Sequence, residues 1–301
     1  MIGVFLKGLG MGAANVIPGV SGGTIALVTG IYPRLIEALR NASQPENVRR
    51  LMRGEWRAAW IAMDGTFLLV LGAGVLFSIL TLARLFDFLL QYHEVPTMAF
   101  FFGLVLISIF HVGRTVPRWN LLRILVFLIG TAVAVSLALI APAGANSAFW
   151  YLILCGIAAI CSMILPGLSG SFVLMLMGNY VLVLRAIKEL DLGVIIPMAL
   201  GCAAGLLGFV QILGWALKKA PETIIALMTG FVCGSLLIIW PWKTTLTREI
   251  EVAGEMRSIA TGHDWYLPTS YGSEFWLAVA LMLGGAAFLH LMTTRSATAA
   301  K

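Results

Sequence analysis

Charged residues are scarce in this 301-residue sequence, at 11% of the chain, whereas soluble domains carry about 25%. Hydrophobic residues make up 60%, and the mean hydropathy is +0.95. A chain with so few charges cannot cover an aqueous surface, stay disordered or form a basic nucleic-acid surface. These shortages exclude a soluble enzyme, a disordered protein and a nucleic-acid-binding domain, and they indicate a polytopic membrane protein.

Cysteine is also rare, and none of the four cysteines has the CxxC spacing of a zinc site. All four lie inside apolar runs, where they are expected to pack against lipid or core. Acidic residues are fewer than basic ones, 14 against 20, which gives a net charge of +6. In a membrane protein this excess is typical of cytoplasmic loops. We therefore expect no metal and no cofactor, with a proton or sodium gradient open as a driving force.

Long apolar runs dominate the rest of the sequence. A spanning helix needs about 20 mostly apolar residues, and six runs approach that length: 66–90, 96–113, 121–141, 193–217, 222–241 and 274–292. Two further apolar regions, 2–32 and 148–187, are each interrupted by a cluster of proline, glycine and serine. The arms on either side of each interruption are too short for two comfortable spans.

The two interrupted regions resemble each other. Residues 18–38 read PGVSGGTIALVTGIYPRLIEA, and residues 166–186 read PGLSGSFVLMLMGNYVLVLRA. At a constant spacing of 148 residues, seven of 21 positions are identical, in the pattern PGxSGx7GxYx5A. Chance could supply the Pro-Gly pairs but hardly the later Gly and Tyr in register. The sequence therefore predicts an internal repeat.

Loop charges predict the orientation of that repeat. Arginines are frequent in 33–60 and 114–123, and Lys218 and Lys219 follow a later span. These three segments are therefore placed on the cytoplasmic side of the membrane. The uncharged 142–148 loop and the acid-rich 243–273 loop are placed outside. Each interrupted region then enters and leaves on one side, either as two full spans or as a re-entrant hairpin, and the short arms favour a hairpin.

We therefore expect an all-α polytopic membrane protein built from two inverted-topology repeats, 1–145 and 146–301. Each repeat has a re-entrant hairpin, about 2–32 or 148–187, followed by three spans. In the first, an amphipathic helix over 41–60 lies on the cytoplasmic face. Inverted repeats with broken helices are typical of secondary transporters, whose substrate sites lie where the helices break. Both termini are placed in the cytoplasm.

The chemistry of the two turns suits an anion such as phosphate. Proline ends the incoming helix, glycines expose amide groups, and a serine or threonine begins the next helix at its positive end. The alternative is a tight turn that Ser and Gly merely permit. The candidate substrate-binding residues are Ser21, Gly22, Gly23 and Thr24 in the first turn and Ser169, Gly170 and Ser171 in the second.

Three further residues join the candidate site. Asn15 is a polar group in an apolar arm, and we expect it to bond the exposed backbone of the turn. Arg34 and Arg185 flank the hairpins and are candidate phosphate partners, with interfacial anchoring as the alternative.

The segment GMGAANVIPGVSGGTIALVTGIYPRLIEAL, together with PGLSGSFVLMLMGNY and FFFGLV, resembles the bacterial polyprenyl-phosphate transporter (PopT) family. The resemblance covers nearly the whole chain. It implies a non-enzymatic carrier in the bacterial inner membrane that returns undecaprenyl phosphate from the outer to the inner leaflet for cell-envelope synthesis. The lipid partner comes from this resemblance, whereas the residues themselves predict only a membrane anion site.

Three other functions compete with this one, of which a non-specific scramblase is the weakest. A transporter of a small anionic solute could use the same inverted turns. An undecaprenyl-pyrophosphate phosphatase also has inverted hairpins with a PGxSRSG-like motif, but here Gly22 or Gly170 stands at the arginine position and no glutamate cluster faces the turns.

Overall fold

The structure, a computed structural model, describes residues 1–17, 19–252, 255–268 and 271–298. The first half contains eight helices: α1 Ile2–Val16, α2 Gly22–Val28, α3 Tyr32–Ala42, α4 Pro45–Met52, α5 Trp56–Ala62, α6 Gly65–Tyr92, α7 Glu94–Gly113 and α8 Leu121–Leu139. The second half contains α9 Phe149–Ile164, α10 Gly170–Leu176, α11 Tyr180–Glu189, α12 Leu192–Lys219, α13 Pro221–Ser235, strands β1 Lys243–Val252 and β2 Glu255–Trp265, and α14 Ser273–Thr298. Pro18 of the first turn lies outside the described residues.

Five of these helices are long and apolar enough to cross a membrane: α6, α7, α8, α12 and α14. They match five of the six predicted spans, and the fold is that of an all-helical polytopic membrane protein. The sixth predicted span, 222–241, is shorter than expected, because α13 ends at Ser235. Its chain continues in tight turns, with the Ile238 N–H donating to the Ser235 carbonyl, and Pro241 follows, a residue before which helices usually end.

The first interrupted region folds as two antiparallel arms. Helix α1 is about 22 Å long and α2 about 10 Å. Gly19 lies in the turn between them with φ +83°, a conformation that favours glycine. The Lys7 ammonium donates to the Thr29 carbonyl at 2.8 Å. The end of α2 therefore returns to the level of the second turn of α1.

The second interrupted region has the same local form. Gly167 has φ +82° between α9 and α10, and the chain then bends by 109° between α10 and α11. The Tyr151 hydroxyl donates to the Met177 carbonyl at 2.9 Å, so α10 returns along α9. Gly178, at the second break, has φ +75° and matches Gly30 with φ +73°.

The long helices pack in pairs, some within one half of the chain and some between the two halves. Within each half, the hairpin arm lies on the next long helix, α1 on α6 and α9 on α12. The remaining pairs join opposite halves, α7 with α14 and α8 with α13. Glycines let these backbones approach: a Cβ on Gly103 would overlap the Met282 carbonyl of α14, and one on Gly230 would overlap the Phe127 carbonyl of α8.

The segments predicted to lie on one side of the membrane do meet at one end of the protein. Lys218 pairs with Glu37 of α3 at 2.8 Å, and Arg123 at the start of α8 pairs with Glu222 at the start of α13. The single amphipathic helix predicted over 41–60 is instead two short helices, α4 and α5. Gly54, with φ +77°, separates them, because glycine both weakens a helix and accepts this conformation.

The acid-rich 243–273 loop contains a β-hairpin that the sequence pattern did not indicate. Strands β1 and β2 pair antiparallel from Lys243↔Trp265 to Val252↔Glu255. Two indole N–H groups fasten its base to the chain that follows α13. Trp265 donates to the Leu237 carbonyl at 2.8 Å, and Trp240 donates to the Tyr266 carbonyl at 3.1 Å.

Candidate functional site

Several amide groups of the first turn are hydrogen-bonded within the first hairpin. Ser21 begins α2, and its hydroxyl oxygen accepts from the Gly23 N–H at 3.2 Å. Asn15 Oδ1 accepts from the Gly22 N–H at 2.7 Å, which confirms the prediction that Asn15 bonds the exposed backbone of the turn. The Thr24 N–H donates to the Ser21 carbonyl at 2.9 Å. Of the four first-turn residues predicted to face an anion, Gly22, Gly23 and Thr24 therefore have amide groups that are already bonded within the protein.

The first turn also bonds directly to the second. Thr24 Oγ1 accepts from the Gly167 N–H at 3.0 Å, and the Ser21 hydroxyl lies 3.4 Å from the Leu165 carbonyl oxygen, to which it donates. The Tyr32 hydroxyl donates to the Ile164 carbonyl at 3.1 Å. Helix α9 ends at Ile164, so its last carbonyls have no partner within the helix. The buried side chains of Ser21 and Tyr32 supply partners for the carbonyls of Leu165 and Ile164.

The second turn is less fully bonded. Ser169 begins α10 without a side-chain bond to the helix amides, and its hydroxyl instead lies 2.9 Å from the hydroxyl of Ser171. Among the described residues, neither the Gly170 N–H nor the Ser171 N–H has an acceptor. Both amides belong to the first turn of α10, where the helix itself supplies no acceptor.

A cavity of about 270 Å³ lies where the two turns meet. It brings together five of the predicted site residues: Asn15, Ser21, Ser169, Gly170 and Ser171. Its remaining lining is almost entirely apolar, from α9, the second turn, α10 and α12: Ala159, Ile160, Met163, Leu168, Leu174 and Cys202. Ser171 is exposed at the rim, so the cavity opens to the surface.

The cavity has polar donors but no formal charge in its lining. Asn15 uses Oδ1 on Gly22, and among the described residues its Nδ2 hydrogens have no acceptor. The hydroxyls of Ser169 and Ser171 and the free amides of α10 complete the polar wall. In the described part of the chain, no group of three His, Cys, Asp or Glu side chains could hold a metal ion.

Sequence differences between the turns explain why they are bonded differently. At the spacing of 148 residues, Met163 stands where Asn15 does, so the Gly170 N–H has no side-chain acceptor. Phe172 stands at the place of Thr24, so the second turn offers no hydroxyl to the Gly19 amide. The two turns share a backbone conformation but not a hydrogen-bonding role.

The other predicted site residues lie away from the cavity lining. Gly22, Gly23 and Thr24 are buried behind it, between the two hairpins. Arg34 pairs with Asp64 at 2.7 Å and stacks over Phe67, with 4.3 Å from its guanidinium carbon to the ring centroid. Arg185 pairs with Glu189 at 2.9 Å, one turn along α11.

Two residues that the site prediction did not include contribute to this region. Tyr32 is 1% exposed, and it ties the two hairpins together. Its identity with Tyr180 at the repeat spacing was the available signal. Cys202 lines the cavity from α12, and nothing in its sequence context marks it.

Comparisons with known proteins show which family the chain resembles. The model of a family described as undecaprenyl phosphate translocase-like matches residues 11–257. The chain is 38% identical over 297 residues to a polyprenyl-phosphate transporter of Vibrio cholerae, covering 96% of this chain and 94% of that one. It is 30% identical over 263 residues to a polyprenyl-phosphate transporter of Staphylococcus aureus, covering 80% and 86%. No solved structure matches the chain.

Proposed function

The chain belongs to the undecaprenyl phosphate translocase-like family, and we propose that it translocates polyprenyl phosphate between the leaflets of the bacterial cytoplasmic membrane. The direction proposed is from the outer to the inner leaflet, which recycles the lipid carrier for cell-envelope synthesis. The observation that carries the proposal is the cavity at the two turns, where neutral donors converge beside an apolar wall.

The donors match the acceptors of a phosphate head group. A phosphate presents oxygens that only accept when ionised, and the cavity presents the Asn15 Nδ2 hydrogens, the amides of Gly170 and Ser171 and the neighbouring hydroxyls. A head group crossing bare hydrocarbon would lose its hydration without replacement, which is costly. Because no cation lines the cavity, the head group is held by hydrogen bonds alone, which favours release on the far side.

The hydrocarbon tail needs no polar path. We propose that it stays in lipid and leaves the cavity sideways, past the apolar side chains of α9 and α10. Met163 lines the cavity and is 48% exposed, and Ser171 is exposed beside it. This edge is therefore the proposed lateral opening.

The two halves, 1–145 and 146–301, are proposed to be repeats of inverted topology with re-entrant hairpins. Their matched backbone conformations at Gly19 and Gly167, and the crossed pairing of α7 with α14 and α8 with α13, support this arrangement. The basic end, which gathers Lys218, Arg123 and the arginines of α4 and α5, is proposed to face the cytoplasm. The termini are proposed to lie on that side as well.

The proposal involves no chemical step. Hydrolysis of a phosphate ester needs a positioned acid, base or activated nucleophile, and the cavity lining holds no carboxylate, histidine or basic side chain. No cofactor enters the proposal. Coupling to a proton or sodium gradient is tested together with transport.

The experiment is reconstitution in liposomes with leaflet-resolved measurement of polyprenyl phosphate, with and without each ion gradient. We expect the Ser169→Ala, Ser171→Ala double variant to slow transport by about tenfold, since two head-group hydrogen bonds are lost. Ser108→Ala is the matched control, because that buried hydroxyl donates only to the Val105 carbonyl of its own helix.

Two results would contradict the proposal. One is unchanged transport in the double serine variant. The other is transport of inorganic phosphate with no movement of polyprenyl phosphate, which would favour a carrier of small anions.

A further inference from the structure

We propose that Thr24 and Tyr32 form a latch that holds the protein in one of its two access states, so that they set which leaflet reaches the cavity. This inference rests on the proposed function, because it assumes that the halves move relative to each other. The latch is defined as the contacts of Thr24 with Gly167 and of Tyr32 with Ile164.

The latch joins the two hairpins through buried polar atoms. Thr24 is 2% exposed and Tyr32 1%, and both reach backbone atoms more than 130 residues away along the chain. In a buried site, removing one partner leaves the other polar group unsatisfied, which costs more than an exposed hydrogen bond contributes. Separation of the hairpins must break both bonds, so they favour the state in which the hairpins touch.

The repeat shows what the opposite state would contain. Exchanging the two halves would place the hydroxyls of Tyr180 and Ser169 against the carbonyls of Val16 and Ile17. In the present structure the Tyr180 hydroxyl has no partner among the described residues, and Ser169 bonds Ser171 instead. The first repeat makes three contacts with the second, through Ser21, Thr24 and Tyr32. The second repeat has equivalent side chains for two of them but does not make those contacts in this structure.

The third contact has no counterpart. Phe172 stands at the position equivalent to Thr24, so in the exchanged state no side-chain oxygen would accept from the Gly19 amide. The Gly19 amide has no acceptor among the described residues here either, so what the exchanged state loses is the bond that Gly167 donates to Thr24, and that loss disfavours it. The sequence difference at this one position makes the resting equilibrium unequal and favours the state seen here.

Native Cys202 provides a reporter, because it lines the cavity. With Cys155, Cys161 and Cys233 replaced by alanine, a membrane-impermeant maleimide is applied to either side of proteoliposomes of known orientation. We expect the protein with an intact latch to label from one side. Thr24→Val and Tyr32→Phe should each change the ratio of the two labelling rates by on the order of fivefold toward the other side.

Two variants control for a merely structural effect. Thr24→Ser keeps a hydroxyl and should restore the ratio found with the intact latch. Thr29→Val removes a hydroxyl from the same hairpin, but that hydroxyl bonds only carbonyls of its own helix, such as Ile25 at 2.7 Å, so its ratio should not change. Simple loosening of the fold would raise labelling from both sides together and lower the melting temperature.

The outcomes separate the latch from the proposed function, because labelling requires no lipid movement. An unchanged ratio in both Thr24→Val and Tyr32→Phe, or an equal change in Thr29→Val, overturns the latch. A changed ratio supports it even where polyprenyl phosphate fails to move in the same vesicles, and that failure would count against the proposed function alone.

Discussion

Asn15 and Gly22 are joined by a 2.7 Å hydrogen bond that fixes the first turn, and at the equivalent place in the second half Met163 leaves Gly170 without such a bond. Asn15 therefore has two roles. Its oxygen accepts from the Gly22 N–H, and its side chain also lines the cavity.

The two roles of Asn15 can be separated by substitution. In Asn15→Asp a carboxylate oxygen still accepts from Gly22, but a negative charge replaces the cavity-facing donors. We expect near-normal thermal stability and transport reduced by at least about tenfold. Asn15→Ala should lower the free energy of unfolding by about 1–2 kcal/mol and impair transport less. Transport at the wild-type rate in Asn15→Asp would remove Asn15 from the site.

The two repeat-related serines should respond differently to alanine. The Ser21 hydroxyl is buried and bonds both Gly23 and Leu165, so Ser21→Ala should lower the free energy of unfolding by about 1–2 kcal/mol. The Ser169 hydroxyl bonds only Ser171 and lines the cavity, so Ser169→Ala should weaken head-group binding and leave stability nearly unchanged. Thermal unfolding and a lipid-binding assay on both variants check this, and equal stability losses would contradict it.

The role of Arg34 can be determined by comparing its substitution with that of its ion-pair partner, Asp64. If its role is the pair with Asp64, Arg34→Ala and Asp64→Asn should have the same small effect on stability, about 0–1 kcal/mol for an exposed pair, and neither should slow transport. If Arg34 instead holds the phosphate, Arg34→Ala alone should slow transport. A double-mutant cycle in the liposome assay separates the two roles, and Arg185 with Glu189 forms the parallel test.

Lys243 predicts a pH dependence of stability. It lies at the base of the β-hairpin, donates to the Ile238 carbonyl and is 6% exposed, and burial lowers the pKa of its ammonium from 10.5 to about 8. Between these values the unfolded chain binds more protons than the folded one, so the free energy of unfolding rises with pH. Below about pH 8 both states carry the charge and this gain is absent.

The measurement compares thermal unfolding of the wild type and Lys243→Met in detergent from pH 7 to pH 11. The difference should move in favour of the wild type by up to about 3 kcal/mol across the window from 8 to 10.5. A difference that stays constant with pH would show that Lys243 does not titrate there.

Two neighbouring glycines of α14 form a matched pair. A Cβ on Gly285 would overlap the Phe100 carbonyl of α7, whereas one on Gly284 would meet nothing within 4 Å. Gly285→Ala should lower the free energy of unfolding by about 1–3 kcal/mol through overpacking. Gly284→Ala should raise it by about 0.5–1 kcal/mol, because alanine favours the helix. Equal shifts in melting temperature would contradict the close approach of α7 and α14.

The sequence predicts most of the fold because the membrane makes hydrophobic length informative. Five of six spans match the structure, and the Pro-Gly-x-Ser-Gly spacing located both breaks. The pattern could not place the end of α13, because apolar residues continue to Trp240 after the helix stops at Ser235. It also missed the β-hairpin, because polar residues interrupt the apolar alternation in its sequence.

Five of the predicted site residues line one cavity, but the sequence was less informative about which polar groups are already hydrogen-bonded. Residue type shows that Gly22 and Thr24 can offer amide donors, but not that Asn15 Oδ1 and the Ser21 carbonyl already accept from them, nor that the Thr24 hydroxyl accepts from Gly167. Those bonds depend on how the two hairpins meet, which is a tertiary contact. The differences at Asn15/Met163 and Thr24/Phe172 were visible in the repeat, and they become meaningful only once the contacts are known.

The crossed pairing of α7 with α14 has a consequence for biogenesis. During synthesis, α7 is completed about 160 residues before α14 begins. Until then α7 lies in the bilayer without α14, the helix on which it packs. A chain that stops before Ser273 would leave the Gly103 surface of α7 uncovered, so the last helix completes the first half. Because each half contributes a helix to the other, the two halves expressed as separate polypeptides should assemble with each other.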